Sequence, residues 1–251
     1  MIRISCGNLG SGKTACEVRE LFFNRFHRNT YSNIITKGLK NNITLKPEMI
    51  ITQTISDYHK NKKGDLEPVY KKELNTKFWQ EIKEPINLVL DEAHSIINSR
   101  RSMTKVNIIL GDWLALMRRI LGENSSGYGE LVLITQVPQK LDVNFRDLCT
   151  QVRYHKMWYT KICSKCRYSW PEHTDMPESV SFCPKCKSFN LKKQDHAVEI
   201  KKFSSIEKYG QWKDTGIKTY YTRQIIHDLK DLNIFNMYNT FQWDNLFMGL
   251  Y

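Results

Sequence analysis

Eight residues near the start of the chain, Gly7-Asn8-Leu9-Gly10-Ser11-Gly12-Lys13-Thr14, have the types and spacing of a phosphate-binding loop. Phosphate charge must be met by donors, and glycine lets the backbone curl closely enough for its N–H groups to converge on an anion. Gly7, Gly10 and Gly12 serve that purpose. Lys13 is placed to reach the β and γ phosphates, Thr14 to put its hydroxyl on Mg²⁺, and a helix starting behind them to present its positive end. A second constellation, Leu88-Val89-Leu90-Asp91-Glu92, closes an apolar run with two carboxylates. Asp91 is the candidate Mg²⁺ ligand, through water. Glu92, free of that duty, is the candidate for orienting or deprotonating an attacking water, which makes the expected reaction ATP hydrolysis. Asp91-Glu92-Ala93-His94 spells a helicase box, but no other helicase motif is recognisable, and His94 is read as incidental.

Gln136 follows another apolar run, Leu131 to Thr135, where a polar side chain can touch both the γ phosphate and the water. Arg146 comes next on what reads as the same edge of the sheet and is the first choice for an arginine finger acting on a neighbouring subunit. Arg100, Arg101, Arg118 and Arg119 are its rivals.

Four of the seven cysteines form two CxxC pairs, Cys163/Cys166 and Cys183/Cys186. Each pair puts two thiolates in a tight turn, and the sixteen residues between them allow convergence on one tetrahedral Zn²⁺, as in a zinc ribbon. Arg167 and Lys187 stand where a ribbon often has glycine. Lysines and arginines interleaved with Tyr168, Trp170 and Phe182 suit nucleic acid and protein partners equally. His173 and His196 read as surface residues, and Cys6, Cys16 and Cys149 as buried packing.

These groups need elements to position them. Met1 to Cys6 alternates Ile2, Ile4 and Cys6 with Arg3 and Ser5, a strand leading into the loop. Ala15, Val18, Leu21, Phe22 and Phe26 recur at helical spacing behind it. Tyr31 to Thr36, Ile86 to Leu90, Leu131 to Thr135, Gln151 to Tyr159 and Val198 to Phe203 read as strands. Leu74 to Ile82, the stripe from Val106 to Leu121, and Tyr221 to Leu232 read as helices, while Gly38 to Tyr70 has no legible element. The strand–helix order predicts an α/β fold with a parallel central sheet flanked by helices. The expected division is an ATPase core over 1–160, a zinc-ribbon insertion over 161–195, and the rest of the core with a C-terminal helix over 196–251.

Lys+Arg 38 against Asp+Glu 26 gives a formal charge of +12, which favours an anionic partner. No window has the roughly 18 consecutive apolar residues of a membrane span. The phosphate loop begins too early to leave room for a signal peptide, and the CxxC pairs beside a nucleotide loop point to a reducing compartment.

The order of Asp91-Glu92, Arg100, Arg118-Arg119, Leu133-Ile134-Thr135-Gln136-Val137-Pro138, Leu141-Asp142 and Arg146 resembles the zonula occludens toxin-like ATPases, grouped with the FtsK/HerA DNA pumps and viral genome-packaging ATPases. Met1 through Thr14, Tyr31-Ser32-Asn33-Ile34 and Tyr238-Asn239-Thr240 are similar too, so the likeness spans most of the chain outside the cysteine segment. The resemblance implies a RecA-like sheet working in a ring of identical subunits. It gives Lys13 and Thr14 the Walker A roles, Asp91 the Walker B role, Glu92 the catalytic role, Gln136 the sensor role and Arg146 the finger role. Filamentous-phage members of the group carry a membrane span, which this sequence lacks. The resulting expectation is a motor that moves double-stranded DNA with ATP and Mg²⁺, loading a viral genome against a capsid or portal-type protein, in the host cytoplasm or on the assembling virion. Its alternatives are a phage-assembly or secretion ATPase, and a nucleotide-dependent switch whose ribbon binds a partner.

Overall fold

Short apolar runs bounded by polar turns become the strands of one mixed sheet with helices on both faces. The structure is a computed structural model describing residues 1–24, 28–61, 64–97, 108–109, 111–113, 116, 123–124, 127–176 and 180–239. In chain order the elements are β1 (Ile2–Cys6), α1 (Lys13–Phe22), β2 (Thr30–Ser32), β3 (Asn42–Thr44), α2 (Pro47–Ile50), β4 (Ile51–Lys60), β5 (Leu66–Leu74), α3 (Thr76–Gln80), β6 (Asn87–Leu90) and α4 (Ala93–Ile96). There follow β7 (Glu123–Asn124), β8 (Gly127–Tyr128), β9 (Leu131–Thr135), α5 (Val143–Asp147), β10 (Gln151–Cys163), β11 (Ser169–His173), β12 (Leu191–Phe203), α6 (Ile206–Thr215) and β13 (Thr222–Ile226).

The main sheet runs β13-β12-β10-β1-β9-β6-β2-β3, with β11 attached to β10. Its centre is parallel, as the near-continuous Leu/Val/Ile runs of β6 and β9 predict for strands covered on both faces. Ile2, Ile4, Leu88, Leu90, Leu131 and Leu133 enter a core with Trp79 and Trp113 on one face. Val89, Val132 and Ile134 meet Ala15, Cys16 and Val18 of α1 on the other. All of β1 is buried, so the alternation seen in the sequence separates two buried faces rather than core from solvent. Arg3 and Ser5 point toward α1 and bond to Glu17. No helix among the described residues is long and apolar enough to cross a membrane.

Three expectations change. Residues 221–232 are not a helix: Thr222–Ile226 is an edge strand antiparallel to β12, followed by turns. β-branched Thr222, Ile225 and Ile226 suit that pleated edge, and Ile226 is buried in the α1-side core. The helix in this region is α6, capped by Ser205, whose Oγ accepts from Lys208 N, and closed by Gly216 in the left-handed region. The helix expected over Leu74–Ile82 shrinks to α3, because Leu74 pairs with Ile51 in a hairpin. That hairpin, β4–β5, begins inside the stretch without a legible element, after β3 and α2. The stripe from Val106 to Leu121 lies largely outside the described residues, although Trp113 is helical and packs on Trp79 at 5.6 Å.

Strand β10 pairs with β1 only through Tyr154, then continues beside β12 to Cys163 as a long antiparallel arm. The cysteine segment forms the far end of this arm, continuous with the sheet on both sides.

Candidate functional site

The register of the parallel strands brings three polar chain ends to one edge. Cys6 lies beside Thr135 and Leu90 beside Leu133, so the loop after β1, Gln136 after β9 and Asp91 after β6 emerge together. The glycines of the loop are needed individually. Gly7 has φ +148°, and a Cβ there would fall 2.3 Å from the His155 carbonyl oxygen. Gly12 has φ +83° at the cap of α1, and its Cβ would lie 2.7 Å from Val198 Cγ2. The loop therefore rests on β10 and β12. Asn8 extends this contact, donating at 3.1 Å to Asp175 Oδ1 and at 3.3 Å to the Thr174 carbonyl, just after β11 on the cysteine arm.

Lys13 is buried, with Nζ donating to the Gly7 and Asn8 carbonyls at 2.9 Å each. Burial lowers its pKa, against the attraction of Asp91 and Glu92. Thr14 Oγ1 donates to Asp91 Oδ2 at 2.8 Å, bringing together the hydroxyl and carboxylate read as Mg²⁺ ligands. Burial raises the Asp91 carboxyl above its ordinary value, and the bonds from Thr14 and the Glu92 amide only partly offset it. A carboxylate that is costly to ionise and has no cation in hydrogen-bond contact among the described residues fits a divalent ion.

Glu92 stands half-exposed at φ +49°, an uncommon conformation for a side-chain-bearing residue. Gln136 Nε2 donates to its Oε1 at 3.1 Å, while His94 Nδ1 lies 3.3 Å from Oε2 and 3.1 Å from Thr135 Oγ1. Glutamine and histidine thus flank the carboxylate, and His94 is not incidental. Asn33 is the other residue whose place sequence reasoning missed. Its Oδ1 accepts from Asp91 N at 2.7 Å and its Nδ2 donates to Asp91 O at 2.9 Å, pinning the backbone of the acidic pair. The only available hint was its place in Tyr31-Ser32-Asn33-Ile34, which carries no chemistry by itself.

Leu9, Gly10 and Ser11 complete the loop, Leu9 with its side chain exposed. Arg146 is elsewhere. Its carbonyl accepts from Cys149 N, and Thr150 N then donates to Ile2 O, which puts Arg146 toward the strand-start edge, not the edge of the loop. Its Nε is buried without a hydrogen-bond partner among the described residues. The rival arginines 100, 101, 118 and 119 lie outside the described residues.

At the end of the arm the sulfurs of Cys163, Cys166, Cys183 and Cys186 all lie within 4.8 Å of one another. Cys163–Cys186 is 3.5 Å and Cys166–Cys183 3.6 Å, close to the roughly 3.8 Å edge of a tetrahedron with Zn–S bonds of about 2.3 Å. The two turns repeat one geometry: Arg167 N donates to Cys163 O and Lys187 N to Cys183 O, each at 2.9 Å. Arg167 at φ +57° and Lys187 at φ +58° adopt the left-handed conformation that a ribbon usually gives to glycine. The Cys166 amide, then that of Lys165, lowers the Cys163 thiol to about 6. Four converging sulfurs with thiolate-stabilising amides can hold a metal ion. His173 and His196 are not in the cluster; His173 Nδ1 accepts from Asp175 N. Cys6, Cys16 and Cys149 are buried, as expected.

Comparison with known proteins places residues 1–198 within the family described as Zonular occludens toxin (Zot), a match that runs through the cysteine segment. No curated protein matches. Among solved structures, the N-terminal domain of zonular occludens toxin from Neisseria meningitidis aligns at 16% identity over 95% of this chain and 98% of that one, with TM-score 0.45. The genome packaging NTPase B204 of Sulfolobus turreted icosahedral virus 2, in complex with ATP-gammaS, aligns at 16% identity over 61% of this chain and 74% of that one, with TM-score 0.36. The same NTPase with AMPPCP gives 14%, 61%, 73% and 0.36 respectively.

Proposed function

The chain belongs to the zonular occludens toxin family, and on that premise we propose that it is a P-loop ATPase of the phage-assembly or secretion type. The family match supports this over the free genome-packaging motor to which the sequence alone points. A DNA substrate fits the +12 charge in either case. The observation that carries hydrolysis is the Glu92 carboxylate held between Gln136 and His94 beside the Thr14–Asp91 pair.

In this reading the loop amides and the start of α1 bind the phosphates of ATP, and Lys13 exchanges its carbonyl partners for phosphate oxygens. Thr14 and Asp91 would hold Mg²⁺, and such an ion would supply charge neutralisation to the phosphates. Glu92 accepts the proton of the attacking water. Gln136 donates to one carboxylate oxygen and His94 stands against the other, which holds the carboxylate's orientation. Asn33 keeps Asp91 and Glu92 from shifting along the strand. Arg146, near the opposite edge, suits a finger role only in trans, within the ring of identical subunits that the family resemblance implies. The sheet is read as RecA-like, and the division into core 1–160, ribbon 161–195 and returning core 196–251 is kept with a strand in place of the C-terminal helix. The four cysteines hold Zn²⁺ as a structural ion.

Glu92→Gln should retain ATP binding, measured with a fluorescent analogue, while turnover falls by about a thousandfold. Turnover within a few-fold of wild type would remove Glu92 from the mechanism. Zinc chelation should expose four thiols and loosen the arm, since structural zinc supplies on the order of 10 kcal/mol to small sites, while the core keeps its nucleotide affinity to within about tenfold. Thiol titration alongside nucleotide binding reads both effects.

A further inference from the structure

The far end of the cysteine arm carries a surface that neither the nucleotide edge nor the metal cluster uses. Tyr168 and Trp170 stack with ring centroids 5.8 Å apart, and Phe182 and Phe189 meet edge to face at 6.2 Å. Trp170 is anchored through Nε1 to Glu172 Oε1 at 2.8 Å. The amide of Ser164 donates to the Asn190 carbonyl at 2.9 Å, tying the two turns side by side. Phe189 is 76% exposed, Phe182 beside it is exposed, and Tyr168 is exposed on the other turn.

Large aromatic rings left in water need an occupant, and the exposed charge on the two cysteine turns is positive; Glu172 beside Trp170 is buried and paired with Lys161. Residues 163–170 and 180–193 contain Lys165, Arg167, Lys185, Lys187, Lys192 and Lys193 and no Asp or Glu. All six are exposed. Lys187 Nζ lies 5.1 Å from the centroid of Phe182, so ring and cation already share one surface. An apolar protein partner would need few of these charges, and duplex DNA would leave the rings idle because its bases are stacked inside. Unpaired bases use both features: phosphates meet the lysines and open π-faces meet the rings.

We propose that the end of the cysteine arm is a binding platform for single-stranded nucleic acid, with Phe189 and Tyr168 as stacking residues and Lys165, Arg167, Lys185 and Lys187 as phosphate contacts. The platform rests on the arm being folded, and so on the metal reading, but not on ATP hydrolysis.

The test uses the full chain with zinc and without nucleotide, titrated into fluorescent 20-nucleotide oligothymidylate and, separately, a 20-base-pair duplex. Zinc content is measured on every variant. Phe189→Ala and Tyr168→Ala should each weaken oligothymidylate binding on the order of tenfold and leave duplex binding nearly unchanged. Phe189→Trp should restore wild-type affinity. Lys165→Glu/Lys185→Glu, two exposed positions that do not ligate metal, should lower affinity and flatten the salt dependence. Unchanged oligothymidylate affinity in both alanine variants with one zinc retained would overturn the platform, as would equal losses on duplex and single strand. Protein lacking zinc from the outset would fail the metal reading separately, by its thiol count.

Discussion

At the strand-start edge of the sheet Arg3 meets Glu17 and Glu20 at 2.7 Å and Glu130 at 3.5 Å, whereas at the other edge Lys13 meets only neutral oxygens. Asp91 there accepts from a hydroxyl and an amide. Both edges bury charged groups at the α1–sheet interface, and both involve residues of β1 or the loop that follows it. In the first set Glu17 and Glu20 both have cations: Arg3 meets each, Ser5 Oγ bonds Glu17 at 2.6 Å and Arg153 pairs with Glu20, although Arg3 Nε has no hydrogen-bond partner among the described residues. The second is incomplete: among the described residues Lys13 bonds no carboxylate and Asp91 no cation, whereas Glu17, raised by burial as Asp91 is, has Arg3 and Ser5 against it. Buried charge that finds its partners serves the fold, and buried charge without them is poised for a ligand.

The sharpest way to break this distinction is to delete one cation from each edge. Arg3→Leu strands Glu17 in the core and should cost about 3–5 kcal/mol of unfolding free energy in denaturant titration, a large part of a typical domain's stability. Lys13→Ala should instead leave stability within about 1 kcal/mol of wild type and abolish hydrolysis, because no other loop residue offers a cation to the β and γ phosphates. If Lys13→Ala destabilises as much as Arg3→Leu, the two edges are not different in kind.

A smaller effect concerns Asp91, whose raised carboxyl pKa means the folded state binds its proton more tightly than the unfolded one. Stability from this group therefore falls as pH rises from 3.8 through the raised value, and at neutral pH the charge is a liability without a cation. Asp91→Asn should raise the stability of the nucleotide-free protein by about 0.5–2 kcal/mol and remove the further stabilisation given by Mg²⁺ and ATP. A loss of stability on this substitution would class Asp91 with Glu17.

The same contrast explains what was legible in the sequence. That the loop, Asp91, Glu92 and Gln136 would meet at one edge could be read because each follows an apolar run long enough to be a buried strand. The four cysteines could be read because their spacing is local. Asn33 and His94 could not, since one bonds to Asp91 across 58 residues and the other to Thr135 across 41. The partners of Arg3 and Ser5 could not be read either, since Glu17 and Glu20 on α1 lie 12 to 17 residues further along the chain. Hairpin β4–β5 was hidden by a bulge at Ser56, which breaks the alternation between Ile55 and Tyr58 while keeping Ile55 opposite Tyr70 and Tyr58 opposite Pro68. Thr222–Ile226 was misread because Ile225, Ile226, Leu229 and Leu232 fit helical spacing, and only pairing with β12 decides for strand. Arg223 joins that pairing by bonding Glu199 at 2.7 Å.

The smallest effect expected lies in Glu20, on the rim of the Arg3 network. Burial alone would raise its carboxyl, but Arg3 and Arg153 pull it down to about 2. The folded state therefore holds this proton more weakly than the unfolded chain does. The associated stability is fully present above the ordinary value of 4.5 and is lost as pH falls from there toward about 2. Because the side chain is 41% exposed, solvent screens the pair, and Glu20→Gln should cost under about 1 kcal/mol at neutral pH. Other carboxylates titrate in the same window, so the measurement is a difference: unfolding free energy of wild type minus Glu20→Gln, followed from pH 6 to the acid limit of folding. The difference should shrink steadily below about pH 4.5, and added salt should shrink it at every pH. A difference that stays flat through acid would mean that Arg3 is satisfied by Glu17 alone, narrowing the structural network to its buried pair.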